Sequence, residues 1–265
     1  MNAFLKEVLD TPLSYGEGRL WWLGQMGLLV KLGKTLFCID YYTTESPKRQ
    51  VPPPIPAGEL EGVDLILGTH NHSDHMDHPS WKIWAKTCPD AGFVFPRMHE
   101  ADVEADGIAK ERRIGMDDGE KVGVCDVTIH ALAAAHEFLV VNPAPCLSYV
   151  IEGNGLRIYH AGDTLRYEGM RPRLASYGHL DAALLPINGR DAKRYARNCI
   201  GNMTYQEAAD LAGELKPGLV LPGHYDLFAD NGEDPEAFAS YLEVKYAGAV
   251  KCQIPKILEP IVLRA

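Results

Sequence analysis

The chain has 265 residues, 46% of them apolar, which is enough to bury a large core and excludes a disordered polypeptide. Its 36 acidic residues outnumber 26 basic ones, leaving a formal charge of −10, and no run of five or more basic residues occurs, so a nucleic-acid surface is not expected. The cysteines at 38, 88, 125, 146, 199 and 252 form no C-x-x-C pair in a chain too long to need stapling, and they read as reduced core residues of a cytoplasmic protein.

The N-terminal stretch MNAFLKEVLDTPLSYGEG has no long apolar segment behind positive charge, so no secretory signal is read there. Leu28 to Asp40, LLVKLGKTLFCID, predicts two apolar strands around a Gly-containing turn, ending in aspartate. Residues 41–60, with SPKRQVPPPIPAG, predict a Pro-rich surface loop. A short strand, Val63 to Leu67, then runs into the polar loop GTHNHSDH. A helix over Ser80 to Cys88, a strand over Gly92 to Pro96 and a helix over Met98 to Ile108 follow. Beyond the apolar stretch Val127 to Ala135, the window Phe138 to Ile151 is the most apolar of the chain. Its 14 residues include two prolines and an asparagine, too short and broken to span a bilayer.

The second half repeats the first. A hairpin, Leu147 to Asp163, again ends in aspartate, a strand, Leu180 to Leu185, again runs into a polar loop, PINGRD, and a strand, Gly218 to Pro222, matches Gly92 to Pro96. Helices are expected at Thr204 to Leu215, with Thr204 and Glu207 as a capping box and Lys216-Pro217-Gly218 as the stop, and at Pro235 to Lys245. Strand-rich stretches interrupted twice by helices predict one domain over 1–265, with pseudo-repeats about 18–135 and 140–265, as two packed sheets with helices outside.

The loop after the first short strand packs His70, His72, Asp74 and His75 into six positions at the end of a buried strand, where ligand sites form. In an extended segment residues i and i+2 project to one side, so His70 and His72 can meet one ion, while Asp74 and His75 follow as the chain turns towards a second. Neutral imidazole and carboxylate suit zinc, manganese or iron, and the absence of a thiolate in the motif argues against a structural zinc site. His136, Asp163 and His224 stand at analogous strand ends in the second half and supply further ligands. His160 is placed to support a ligand by a hydrogen bond, while His78 reads as a turn residue, His99 as a supporting or exposed residue, and His130 and His179 as structural.

H-x-H-x-D-H followed by isolated His, Asp and His resembles the metallo-β-lactamase-fold superfamily over most of the chain. The resemblance implies a four-layer αββα sandwich of two similar halves, with one cation on His70, His72 and His136, another on Asp74, His75 and His224, and Asp163 bridging them. The segments LPINGRD, GNMT and PGHYD are similar to the L-ascorbate-6-phosphate lactonase branch, whose members open a phosphorylated sugar lactone with manganese or zinc. Members of that branch are longer than 265 residues, so the elements that enclose substrate are expected to differ.

The reaction expected from this pattern is hydrolysis by a hydroxide held between two divalent cations, with Asp74 orienting it and moving its proton. Asn188 and Arg190 are expected to bind the substrate's anionic group, and Arg194, Arg197, Asn198 and Asn202 to extend a positive rim. Phosphodiester cleavage and di-iron redox chemistry are the other activities the fold implies. The expected partner is a small anionic substrate, with no nucleic acid and no membrane, in a chain whose apolar content permits a homo-oligomer.

Overall fold

The computed structural model describes residues 2–137 and 140–265; Met1 and the first two residues of the apolar window, Phe138 and Leu139, lie outside them. The strands are β1 (Glu17–Gly24), β2 (Gly27–Leu32), β3 (Thr35–Ile39), β4 (Leu65–Leu67), β5 (Gly92–Pro96), β6 (Arg113–Met116), β7 (Lys121–Val124), β8 (Val127–Ala133), β9 (Leu147–Gly153), β10 (Leu156–His160), β11 (Ala182–Pro186), β12 (Val220–Gly223) and β13 (Pro260–Arg264). The helices are α1 (Ala3–Asp10), α2 (His78–Thr87), α3 (Glu100–Ala105), α4 (Met170–Ala175), α5 (Ala192–Tyr195), α6 (Tyr205–Leu215) and α7 (Pro235–Tyr246).

Strand periodicity explains the layers. In β3, Phe37 and Ile39 face one core while Leu36 and Cys38 face another, and in β11 Leu184 is separated in the same way from Ala183 and Leu185. Three apolar clusters result. The central one joins the two sheets through Val30, Leu67, Ile129, Tyr149, Leu184 and Leu221. One outer cluster packs Leu5, Trp81, Trp84 and Val103 of the helices on the first sheet, and the other packs Met170, Leu211 and Phe238 on the second. The order helix, sheet, sheet, helix is the expected αββα sandwich.

The repeat is a repeat of topology. β1 to β5 pair antiparallel, antiparallel, parallel, parallel, and β8 to β12 pair in the same sequence. The sheet boundary nevertheless departs from the boundary near residue 135: β7 and β8 lie in the second sheet, and β13 returns to pair antiparallel with β1 at the edge of the first.

Local rules account for most helices. The capping box of Thr204 and Glu207 opens α6, and Lys216 in the left-handed conformation closes it. α2 begins two residues earlier than predicted, at His78, with Pro79 in the first turn. The predicted Met98 to Ile108 helix divides into a 3₁₀ turn, Arg97–His99, and α3. The Pro-rich loop 41–60 is only partly a surface loop, since Ile55 and Leu60 are buried in the outer cluster and Tyr41 exchanges hydrogen bonds with the backbone of Ile55. All six cysteines are free, but Cys125 is exposed and Cys199 and Cys252 are half-buried, so only Cys38, Cys88 and Cys146 are core residues. Among the described residues no helix is long and apolar enough to cross a membrane.

Candidate metal centre

β1, β3 and β4 of one sheet and β8, β10, β11 and β12 of the other all end at one rim of the sandwich, so side chains far apart in sequence meet there. The loop after β4 contributes His70, His72, Asp74 and His75; His136 follows β8, Asp163 follows β10 and His224 follows β12. Their ligand atoms form three overlapping groups, His70–His72–His136, His70–His75–Asp163 and Asp74–His75–His224, each within 4.8 Å. Asp163 is the hinge of the arrangement: one oxygen lies 3.3 Å from His75 Nε2, and the other lies 3.1 Å from His224 Nε2 and 3.8 Å from His136 Nε2. All seven side chains proposed as ligands are therefore brought together.

Two of them are oriented by neighbours that turn one ring nitrogen towards the cluster. His75 Nδ1 lies 2.7 Å from Asp40 Oδ2, which turns Nε2 towards Asp163 and Asp74, and this buried atom has no hydrogen-bond partner. His70 Nδ1 lies 3.1 Å from Thr69 Oγ1, whose own hydrogen goes to Asp40, and His70 Nε2 thus faces His72 Nδ1 at 2.9 Å and the neighbouring His136. Imidazole nitrogens converging at that distance, beside an orphaned buried imidazole nitrogen and two carboxylates, are the chemistry of a site that fits a cation. His160 supports the centre as expected: Nε2 donates to the Met26 carbonyl and Nδ1 accepts from Gly162 N–H, fixing the turn into Asp163. Gly162 has φ +57° and a Cβ there would lie 2.8 Å from Thr69 Cβ, so only glycine lets these two loops close.

Electrostatics agree. Burial disfavours a charged His75, but Asp163, Asp40 and Asp74 outweigh it and hold its pKa well above the ordinary imidazole value. Burial, with the His75 charge beside it, pushes His70 well below that value. Burial also disfavours the Asp163 carboxylate, yet His224 and His75 hold it ionised far below the usual range. Around His75 and His224, where the carboxylates outweigh burial and raise both imidazoles, the field of the pocket favours positive charge.

The ligands open onto a cavity of about 470 Å³ whose wall includes Lys48, Glu137, Asn188, Asn202, Phe228 and Asn231. Asn188 belongs to it, holding Asn231 and Asn202 through its two amide ends at 3.0 Å each. Arg190 is a correction: it does not line the cavity, because both terminal nitrogens are bound by Glu207 at 2.6 and 2.7 Å and one also donates to the Asn202 carbonyl. Arg194 pairs with Asp191, and Arg197 with Asp230, so the expected positive rim is neutralised. Asn198 and Asn202 do line the cavity.

The model of the beta-lactamase superfamily domain matches residues 38–225. The chain belongs to the beta-lactamase superfamily. Among its superfamily relatives, a UPF0173 metal-dependent hydrolase of Caldivirga maquilingensis is 31% identical over 85% of this chain and 90% of its own length. The probable L-ascorbate-6-phosphate lactonase UlaG of Escherichia fergusonii is 24% identical over 91% and 78%. Two solved structures share the fold: Igni18, a metallo hydrolase from Ignicoccus hospitalis, at TM-score 0.76 and 22% identity over 94% of this chain and 99% of that one, and CmlA, a diiron beta-hydroxylase from Streptomyces venezuelae, at 0.70 and 16% over 96% and 55%.

Two residues of this superfamily member escaped the sequence reading. Gln25, in the β1–β2 turn, is buried with φ +55°, and its Nε2 donates to Asp74 Oδ2 at 2.8 Å while lying 3.2 Å from His224 Nε2. Asp40 also adopts a left-handed conformation and gathers Thr69 and His75. The repeat contained a signal for both. Gln25 follows β1 as His136 follows β8, and Asp40 follows β3 as Asp163 follows β10.

Proposed function

We propose that the chain is a metal-dependent hydrolase using two divalent cations, manganese or zinc, to open an ester or lactone in a small anionic substrate of the L-ascorbate-6-phosphate lactone type. One observation carries this reading: seven histidine and aspartate side chains from four strand ends present ligand atoms in three overlapping groups within 4.8 Å. His70, His72 and His136 would hold one cation, Asp74, His75 and His224 the other, and Asp163 would touch both. The cations supply Lewis acidity and lower the pKa of a bound water towards about 7.

The chain's own groups do the rest. Gln25 fixes one oxygen of Asp74, which leaves the other as the acceptor for a proton from the attacking water and its later donor to the leaving alkoxide. Asn188 and Asn202 keep that wall of the cavity rigid and polar. The names of the UPF0173 relatives support metal-dependent hydrolysis, and the name of the more distant UlaG supports a lactone.

The test strips the protein with chelator, reloads it with manganese, zinc or iron, and follows hydrolysis of a lactone panel beside a chromogenic phosphodiester. Metal-dependent opening of lactones, lost in Asp74→Asn with metal still bound, is expected. A folded, loaded protein that cleaves only the phosphodiester, or neither, overturns the reading.

A further inference from the structure

Away from the metal ligands, recognition of an anionic substrate calls for a cationic side chain, and the arginines of 190–197 are occupied elsewhere. We propose that Lys48 is that cation, taking a phosphate or carboxylate group carried by the substrate away from its scissile bond. The hydrolytic fate of that substrate rests on the function proposed above; the anion contact does not.

Among the described residues Lys48 is the one Lys or Arg lining the cavity, and its ammonium forms no ion pair there. The remaining charged wall is acidic: Asp74, Asp163 and Glu137. Beyond the ligand cluster, where two divalent cations would outweigh the two aspartates, Lys48 and Glu137 are the other charged side chains of the wall, and Glu137 lies 3.3 Å from His72 Nε2. An anionic group held away from the scissile bond, and so away from those cations, is therefore drawn to the Lys48 side.

The backbone holds that side still. Arg49 donates to the carbonyls of Val51, Tyr42 and Thr44, with its guanidinium over the Tyr42 ring at 4.9 Å. Gln50 N–H bonds the Leu227 carbonyl, and Arg49 pairs with Phe228, so residues 49–50 are stitched to the segment that brings Phe228 to the same cavity. Upstream, the buried Asp77 carboxylate accepts from the backbone N–H groups of Thr43 and Thr44. A flexible, strongly hydrated ammonium on a pinned stem suits a terminal phosphate or carboxylate better than a neutral sugar. The cavity, about 470 Å³, is of the size that small-molecule sites occupy.

The experiment measures inorganic phosphate and acetate binding to the zinc-loaded protein by calorimetry, in wild type, Lys48→Ala, Lys48→Arg, Lys48→Glu and Arg190→Gln at matched metal content. Phosphate affinity is expected to fall about tenfold in Lys48→Ala and further in Lys48→Glu, to survive within about threefold in Lys48→Arg, and to stay unchanged in Arg190→Gln. Acetate changing in parallel assigns a general oxyanion contact; acetate indifferent to Lys48 assigns phosphate. Equal phosphate affinity in wild type and Lys48→Ala, or a loss confined to Arg190→Gln, overturns the proposal. A second arm compares KM for a neutral chromogenic ester and one bearing a carboxylate: Lys48→Ala should raise only the latter, by about tenfold, and an equal rise in both overturns it. Lys48-dependent phosphate binding with no ester or lactone hydrolysed would sink the hydrolase reading and leave this anion contact standing.

Discussion

Gln25 shows how one side chain can set the quality of a centre it need not ligate. Its amide restrains Asp74 from a left-handed turn that is strained for any residue except glycine, and it sits where an apolar side chain would leave the carboxylate free to rotate. On the proposed assignment, Gln25→Ala should weaken a cation held by Asp74, His75 and His224 by about 10- to 100-fold while sparing one held by His70, His72 and His136, read as a split in a zinc competition titration. His78 makes a separate, pH-dependent contribution. Its Nδ1 bond to Asp106, 2.5 Å long, raises its pKa above the ordinary value of about 6.5. The contribution is fully present below that value and is lost as pH rises through the raised one. Urea midpoints of wild type and His78→Gln should thus differ at pH 5.5 and converge by pH 9; a constant difference would contradict the linkage. At this scale the clustering of the candidate ligands was legible because histidines and aspartate crowd one strand end. Gln25 was legible only through the repeat, as the counterpart of His136, since a lone glutamine in a hairpin turn carries no local pattern, and Arg190 misled because its partner, Glu207, is visible only once α6 folds back on the loop.

Elements read from the sequence succeeded where a local rule had a complete signature. The capping box and Lys-Pro-Gly stop bounded α6, whereas α1 and α5 carry only a lone N-cap, Asn2 and Asp191, and α4 has no side-chain cap at all. α1 is the clearest example. Lys31 of β2 is 6% exposed, and its ammonium donates to the carbonyls of Val8, Leu9 and Thr11 at 2.7 to 2.8 Å, satisfying groups that the end of the helix leaves open. Burial lowers its pKa, but three carbonyl partners keep a use for every proton it carries. Lys31→Met should take this donor from all three carbonyls, leaving that of Val8 with the Thr11 N–H, cost on the order of 2–3 kcal/mol in urea unfolding, and speed amide exchange in residues 3–10 above that of the sheet. Exchange rising equally everywhere would mean that α1 is not separately anchored.

Across the molecule, the sequence announced the duplication but not the way its halves interlock. Matching hairpins and strands reveal topology because burial on both faces imposes the same aliphatic runs on each copy. Partition between sheets is set by long-range pairing, and nothing in the local pattern of PIVLR says that it joins β1, some 240 residues earlier by the register of Ile261 with Leu20. Ile261 and Leu263 nevertheless reach the central core, so Ile261→Ala or Leu263→Ala should each cost about 2–5 kcal/mol, measured by denaturant midpoint. A cost well below 1 kcal/mol would mean that the strand merely covers an edge.

That returning strand also orders the protein's birth. A ribosome delivers Gln25, Asp40 and the histidine cluster long before residues 260–264, and until those arrive β1 is an open ladder that could recruit a neighbouring nascent chain. His224 emerges only shortly before that closing segment. Completion of the histidine and aspartate cluster and sealing of the vulnerable margin are thereby forced into the same late moment of synthesis.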